Sequence, residues 1–211
     1  MKIVPVADAA ARADEVANVL AQGGLACFPM RGSYRLAADV QSEDAVNRLM
    51  QSKRRAKHHP SLVLVASLAV AGGVVGGTGW RPTRRLADRL WPGPLTMVLP
   101  PSDKLPARVS KVLTRATGRL GVQVPDDPLA RAILDRFGGP LLLSSANLEQ
   151  KPGASSGNVV QQRFGRTVDI WIDAGEMKPG LPSTIVELTE TAWTIIRDGA
   201  VSRAALERAT T

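Results

Sequence analysis

The feature that most constrains the fold is the alternation of short apolar runs with amphipathic helical segments. Apolar runs bounded by glycine, proline or polar residues lie at 25–29, 62–65, 95–99, 121–124, 141–143 and 170–172. Runs this short are typical of buried strands. Helical segments alternate with them at 8–22, 42–54, 82–90, 128–137 and 159–164, and two further strands are expected to pair at 183–188 and 193–196. The pattern predicts an α/β fold with a twisted, open mixed sheet and flanking helices.

Residues at the helix ends support these boundaries. Ser42 is suited to cap the segment at 42–54, and Glu43 and Asp44 in its first turn complement the helix dipole. The segment at 128–137 begins at Pro128 and is followed by Gly138. No internal repeat and no long linker interrupts the chain, so we expect a single domain over residues 1–211.

The chain is strongly basic, with 27 Lys plus Arg against 19 Asp plus Glu and a formal net charge of +8. A field of this sign favours polyanions such as nucleotides and nucleic acid. The alternative is that the charge only maintains solubility.

Cysteine and histidine usage argues against a disulfide and against a metal site built from protein ligands. Cys27 is the only cysteine and lies in an apolar run, so we expect a buried thiol in a reducing, cytoplasmic compartment. His58 and His59 are adjacent, their side chains diverge, and no further Cys or His lies nearby, so no metal site is expected.

The uncharged stretch at 61–80 is the candidate for a membrane span. A spanning helix needs roughly 20 predominantly apolar residues. This stretch begins with a strand-like run and then contains five glycines, so no membrane partner is expected. The N-terminus also lacks the pattern of a signal peptide.

Common catalytic signatures are absent from the sequence. The glycines at 72–79 are not followed by the Gly-Lys-Ser/Thr of a Walker A loop, and no Gly-x-Ser-x-Gly elbow occurs. Basic, hydroxyl and amide residues instead gather at predicted element ends. They form five short motifs: Lys53-Arg54-Arg55, Pro92-Gly93-Pro94-Leu95-Thr96, Ser144-Ser145-Ala146-Asn147, Pro182-Ser183-Thr184 and Arg197-Asp198-Gly199.

In this order, and over residues 24–199, the five motifs resemble the YrdC family of threonylcarbamoyl-AMP synthases. The resemblance implies an α/β sheet with a basic concave cavity and an enzyme of the nucleotidyltransferase type. It implies synthesis of L-threonylcarbamoyladenylate from threonine, bicarbonate and ATP, with Mg²⁺, for the N6-threonylcarbamoyladenosine modification of tRNA. Since a carbamate is already an anion, positioning and charge neutralisation would supply most of the catalysis. Expected partners are these small molecules and tRNA or double-stranded RNA.

The resemblance also assigns roles to residues. Lys53 and Arg55 would be the catalytic cations, Lys53 as a point charge on phosphate and Arg55 as a planar fork for phosphate or carboxylate. The residues expected to bind the nucleotide are Ser145, Asn147, Ser183 and Arg197. The competing interpretation of Lys53 and Arg55 is a solvated last turn of a helix.

Two segments depart from the family pattern. The first substrate loop of the family usually reads Pro-Thr-Asp-Thr-x-Tyr-Gly-Leu, and here its altered positions are Met30, Arg31, Gly32 and Arg35. These changes remove hydroxyls and a carboxylate and add cations, so we expect weaker threonine recognition. Gln123 stands where the family usually has arginine, which should weaken anion binding unless Arg31 or Arg35 restores the charge.

Three functions therefore remain open. The first is a threonylcarbamoyl-AMP synthase with a rebuilt first loop. The second is a non-catalytic YrdC-like protein that binds RNA or nucleotide. The third is a related carbamoyl-adenylate enzyme with another substrate.

Overall fold

The computed structural model describes residues 1–8, 12–53, 60–147 and 154–211. Within these residues the strands are β1 Lys2–Pro5, β2 Ala26–Met30, β3 Ser33–Asp39, β4 Ser61–Leu64, β5 Leu95–Leu99, β6 Leu120–Gln123, β7 Leu141–Ser145, β8 Ile170–Asp173, β9 Thr184–Leu188 and β10 Trp193–Arg197. The helices are α1 Ala13–Ala21, α2 Glu43–Ser52, α3 Leu68–Ala71, α4 Arg81–Leu90, α5 Ala107–Leu113, α6 Pro128–Phe137, α7 Gly157–Phe164 and α8 Arg203–Thr210, with a short 3₁₀ helix at Val6–Asp8.

The chain divides into two compact units. Unit 1 comprises Met1–Lys57 and Asp127–Gly180, and unit 2 comprises His58–Asp126 and Leu181–Thr211.

Unit 1 contains a mixed sheet with the strand order β1-β8-β2-β3-β7. The β1–β8 and β8–β2 pairs are parallel, and the β2–β3 and β3–β7 pairs are antiparallel. Helices α1 and α6 pack on each other. They bury Val16 and Leu20 from α1 and Ile133 and Leu134 from α6.

Unit 2 contains a second mixed segment with the order β4-β6-β5-β9-β10. The β4–β6 and β5–β9 pairs are parallel, and the β6–β5 and β9–β10 pairs are antiparallel. Helix α4 packs on α8, with Leu86 and Leu206 fully buried.

The helix ends follow the predicted chemistry. The Ser42 hydroxyl accepts a hydrogen bond from the Ala45 N–H at the start of α2. Asp127 caps α6 through Ala130 N–H, and Gly138 ends that helix in the left-handed conformation at φ 75°. These caps satisfy backbone groups that the helix itself leaves without partners.

The predicted α/β class with an open mixed sheet and flanking helices is confirmed, including the antiparallel β9–β10 pair. The single-domain assignment of residues 1–211 stays a prediction. The sequence did not predict β1, β3, α3, α5 or α8, and the helix predicted at 8–22 is shorter, with α1 at Ala13–Ala21. Among the described residues, no helix is both long enough and apolar enough to cross a bilayer.

Candidate functional site

Lys53 is held beside the end of β7 in unit 1. It follows the last residue of α2, and its side chain is only 5% exposed. Its ammonium group donates to the carbonyl oxygens of Ser145 and Asn147 and to Asn147 Oδ1 at 3.2 Å. The Phe164 ring centroid lies 5.8 Å from Lys53 Nζ, a cation–π distance. The three oxygen acceptors supply the hydrogen bonds that a buried ammonium needs.

Ser145 and Asn147 form a tight turn around this ammonium. Ser145 Oγ donates to Asn147 Oδ1 at 2.6 Å, and Asn147 N–H donates to the Ser145 carbonyl at 2.9 Å. The intervening Ala146 N–H donates to the Tyr34 carbonyl at 2.8 Å. The structure thus brings together three of the predicted site residues, Lys53, Ser145 and Asn147. Arg55 lies outside the described residues, as do His58 and His59.

The predicted substrate loop at 30–35 is a tight hairpin rather than a loop. Met30 is the buried last residue of β2, and Arg35 lies within β3. The two turn residues, Arg31 and Gly32, have φ of 50° and 70°. Two positive φ values mark the type I′ turn, whose twist matches that of antiparallel strands. The backbone of Arg35 is therefore fixed within the sheet, where it lies opposite Ser145 in the antiparallel β3–β7 pair.

Tyr34 is a structural residue of the site that the sequence analysis missed. It is fully buried, and its hydroxyl lies 3.0 Å from both Asp173 Oδ1 and the Gly175 carbonyl and accepts from Ala174 N–H at 2.8 Å. Burial raises its pKa, so the hydroxyl stays protonated and keeps donating. A lone tyrosine in a chain poor in aromatics was the available signal, because a buried tyrosine usually needs a polar partner.

Ser183 and Arg197 are brought together in unit 2. The Arg197 guanidinium donates to the Ser183 carbonyl at 2.7 Å, and partial burial lowers the Arg197 pKa. The Ser183 hydroxyl donates to Gln123 Oε1 at 3.3 Å. Gln123 is 0% exposed, accepts a second bond from Thr96 Oγ1 at 3.2 Å, and donates to the Gly93 carbonyl at 2.9 Å. The neutral side chain of Gln123 is therefore buried and links Thr96, Ser183 and the Gly93 carbonyl through hydrogen bonds.

The sequence has two segments rich in basic residues, at 48–57 and at 81–89, and some of these side chains have structural contacts. Arg48 donates to Asp169 Oδ2 at 3.1 Å, and the rest of the 48–57 cluster beyond Lys53 lies outside the described residues. On α4, Arg85 and Arg89 donate to carbonyls in the last turn of α8, where cations complement the helix dipole. Arg81 and Arg84 are exposed. A cleft of about 560 Å³ opens beside this helix, lined by Arg81, Pro82, Arg85, Glu190, Thr191, Ala192, Trp193 and Thr210.

The side chains of unit 1 favour binding of an anion over nucleophilic catalysis. Cys27 is buried and its pKa is raised by burial, so its thiol is not a reactive nucleophile. Among the described residues, no group of three or more His, Cys, Asp or Glu side chains gathers in a way that could hold a metal ion. The cluster of Lys53, Ser145 and Asn147 is suited to hydrogen-bond and to neutralise an anion, and contains no nucleophile–base pair.

Comparison with families of known proteins gives one match that covers most of the chain. The family model Sua5_yciO_yrdC, described as telomere recombination, matches residues 18–199. Similar curated proteins include a threonylcarbamoyl-AMP synthase of Pyrococcus abyssi, 31% identical over 192 residues, covering 91% of this chain and 55% of that protein. A putative threonylcarbamoyl-AMP synthase of Mycobacterium leprae is 31% identical over 204 residues, covering 95% of this chain and 90% of that protein.

A solved structure similar to this one is P. abyssi Sua5 complexed with L-threonine. The TM-score is 0.84 at 28% identity, covering 99% of this chain and 60% of that chain. The chain therefore spans little more than half the length of its P. abyssi relative.

Proposed function

The chain belongs to the Sua5/YciO/YrdC family, and we propose that it makes L-threonylcarbamoyladenylate from L-threonine, bicarbonate and ATP for the N6-threonylcarbamoyladenosine modification of tRNA. The observation that carries the proposal is the convergence of Lys53, Ser145 and Asn147 on one turn. The relatives named threonylcarbamoyl-AMP synthase, and the relative whose structure holds L-threonine, support it. A tRNA-directed step fits the cytoplasmic location expected from the sequence.

The proposed reaction has two bond-forming steps. The amine of threonine combines with bicarbonate to give a carbamate, with loss of water. A carbamate oxygen then bonds to the α-phosphorus of ATP while the bond from that phosphorus to the bridging oxygen breaks, and pyrophosphate leaves. The attacking carbamate is already anionic, so the site needs no general base for this second step. It needs reactants held in line and a field that offsets their negative charges.

The residues of the cluster would divide this work. The Ser145 hydroxyl and the Asn147 amide would hydrogen-bond the nucleotide or the carbamate. Lys53 would hold the turn that carries them and would keep a positive charge beside the anions. Ser183 and Arg197 stay predicted nucleotide-side residues, as does Arg55 as a predicted cation.

Magnesium fits this donor set only as an ion carried largely by ATP. The oxygens of Ser145 and Asn147 already accept from the Lys53 ammonium, which disfavours a second cation there, so the phosphates of ATP would supply most of the ligands of the ion. Bound there, the ion would neutralise charge on the phosphates.

The direct test is pyrophosphate release. The full chain is incubated with ATP, bicarbonate and each amino acid in turn, and the adenylate product is identified by mass. Release that depends on threonine supports the proposal. Release only with another amino acid selects the third of the open functions. No release with any amino acid, together with tight RNA binding, selects the second.

We predict that Lys53→Ala and Asn147→Ala each weaken ATP binding severalfold without unfolding the protein. Asn147→Ala removes the amide oxygen that both Lys53 and Ser145 contact, and Lys53→Ala removes the ammonium that fixes the turn. Isothermal titration calorimetry measures the affinity. Asn158→Ala, which removes an exposed amide on α7, is the matched control and should leave it unchanged. Wild-type affinity in both cluster variants would show that the nucleotide binds elsewhere.

We also predict salt-dependent binding to RNA, because the chain carries a net charge of +8 and α4 exposes Arg81 and Arg84. Arginine contacts to phosphate release counterions, so affinity falls as salt rises. Arg81→Ala/Arg84→Ala should reduce the slope of log affinity against log salt by about one per arginine. Fluorescence anisotropy with a labelled tRNA measures both quantities.

A control for this experiment removes equal charge elsewhere. Arg12 contacts Glu15 and Arg136 contacts Asp14, so Arg12→Ala/Arg136→Ala lowers the arginine count without touching α4. If both double variants change the slope equally, RNA responds to net charge and not to α4. A slope of zero for the wild type rules out the predicted RNA contact.

A further inference from the structure

The ammonium group of Lys53 is already committed to the protein. An ammonium has three N–H donors. Here they face the carbonyls of Ser145 and Asn147 and the Asn147 side-chain oxygen. Binding a substrate carboxylate directly would require Lys53 to abandon acceptors on the turn that it holds. An arginine beside this turn has five N–H donors in a planar fork, so it can contact the anionic end of an amino acid in addition to protein groups.

Arg35 is such a cation. It is paired with Ser145 across the antiparallel β3–β7 ladder, and both residues are half-buried. Directly opposed residues on neighbouring strands project from the same face of a sheet, with Cβ atoms about 5 Å apart. The guanidinium of Arg35 thus belongs to the same face as the Ser145 hydroxyl. Its planar fork matches a carboxylate, which a point-like ammonium does not.

The backbone at Arg35 is fixed by hydrogen bonds to the strands on both sides and by the contacts of Tyr34. Its strand pairs with β2 and β7. The preceding Tyr34 anchors its hydroxyl among residues 173–175 and donates its own N–H to the Ala154 carbonyl at 2.6 Å. A side chain on a fixed strand loses less freedom when it binds a ligand, so Arg35 is a preorganised contact.

The hairpin that carries Arg35 is basic, because residues 30–36 contain two arginines and no acidic residue. Arg31 forms the hairpin tip, and its carbonyl accepts from Gly180 N–H at 3.3 Å, which brings the segment with Lys178 against the tip. The nearby acids have protein partners: Asp173 Oδ1 accepts from Tyr34 and Gly175 N–H, and Glu176 accepts from the Ser156 hydroxyl. The charge of this hairpin therefore attracts a carboxylate and repels an ammonium.

We propose that Arg35 is the substrate-binding residue that recognises the α-carboxylate of the amino acid, next to Ser145. The inference rests on the proposed function for the identity of that amino acid. It assigns a specific role to a position where the family pattern carries glycine, and it makes Lys53 the residue that positions the turn.

The test removes the charge from each partner in turn. Wild type and Arg35→Met are titrated with L-threonine and with L-threoninol, which carries an alcohol in place of the carboxylate. We expect Arg35→Met to lose about tenfold or more in threonine affinity, the range of one charge-assisted hydrogen bond, and to bind threoninol as the wild type does. The KM for threonine should rise while that for ATP stays unchanged, which also shows that the variant is folded. Arg12→Met, which removes an exposed arginine that contacts Glu15 at the start of α1, serves as the matched control and should change threonine affinity less than threefold.

Two results would overturn the inference. One is equal threonine affinity in wild type and Arg35→Met, including no detectable binding in either. The other is faster threonine-dependent pyrophosphate release by Arg35→Gly, which would mean that Arg35 obstructs the site. Failure of the proposed function looks different: threonine binds in an Arg35-dependent manner, but the wild type releases no pyrophosphate.

Discussion

Gly32→Thr is expected to lower the free energy of unfolding by about 3 kcal/mol. Gly32 has φ of 70°, a region that costs residues with a Cβ about 1–2 kcal/mol. A Cβ placed there would lie 2.0 Å from the Lys178 carbonyl oxygen and 2.8 Å from Gly180 N. No rotamer relieves a Cβ contact, so the 178–180 backbone must move, and overpacking of this kind costs about 1–3 kcal/mol more. Urea unfolding measures the change.

Gly138→Thr separates the two causes. Gly138 has φ of 75°, but a Cβ there has nothing within 4 Å. The Gly138→Thr variant should therefore lose only the conformational cost, about 1–2 kcal/mol in the free energy of unfolding. Equal losses in the two variants would mean that the 178–180 segment yields freely to a side chain at the hairpin tip.

This contact also limits how the family pattern could be restored in this chain. The pattern places threonine at position 32, where the present backbone accepts only glycine. Restoring the remaining positions, with Met30→Thr, Arg31→Asp and Arg35→Gly, leaves the turn intact. A chain with threonine at position 32 needs a different path for residues 178–180.

Much of the fold could be predicted because local chemistry and tertiary packing agree. Helix α6 spans the predicted residues, since Asp127, Pro128 and Gly138 each favour the ends they occupy. Strand β3 was missed because its first residues were interpreted as a loop by resemblance. Its polar positions, Ser33, Arg35 and Asp39, are half-buried on one face, while Tyr34 and Leu36 are fully buried on the other.

The site was predictable only in part, for a physical reason. Motifs at the ends of α2 and β7 predicted that Lys53, Ser145 and Asn147 serve one site, and the structure brings them together. Residue types do not reveal where backbone carbonyls point. The carbonyl groups that accept from Lys53 are oriented by the turn at the end of β7. The pairing of Arg35 with Ser145 is set by the register of β3 against β7. The hydrogen bonds of Gln123 could not be predicted either, because they join residues that are distant in the sequence.

Gln123→Met is expected to lower the free energy of unfolding by about 3 kcal/mol. Methionine fills a similar volume but makes none of the three hydrogen bonds of the Gln123 amide. Each bond contributes about 1 kcal/mol, and the groups left behind, including the hydroxyls of Thr96 and Ser183, are themselves buried. The variant should also weaken ATP binding if Arg197 serves the nucleotide, because the Ser183 carbonyl orients its guanidinium. Urea unfolding and calorimetry measure the two effects.

Two controls isolate the network. Gln162→Met makes the same substitution at an exposed position of α7 and should change stability by less than about 0.5 kcal/mol. In Gln123→Met/Ser183→Ala the serine hydroxyl that lost its acceptor is gone, so the double variant should lose less than the sum of the single losses. Additive losses, or a Gln123→Met variant as stable as the wild type, would mean that the Ser183–Gln123 hydrogen bond contributes nothing to holding unit 2 together.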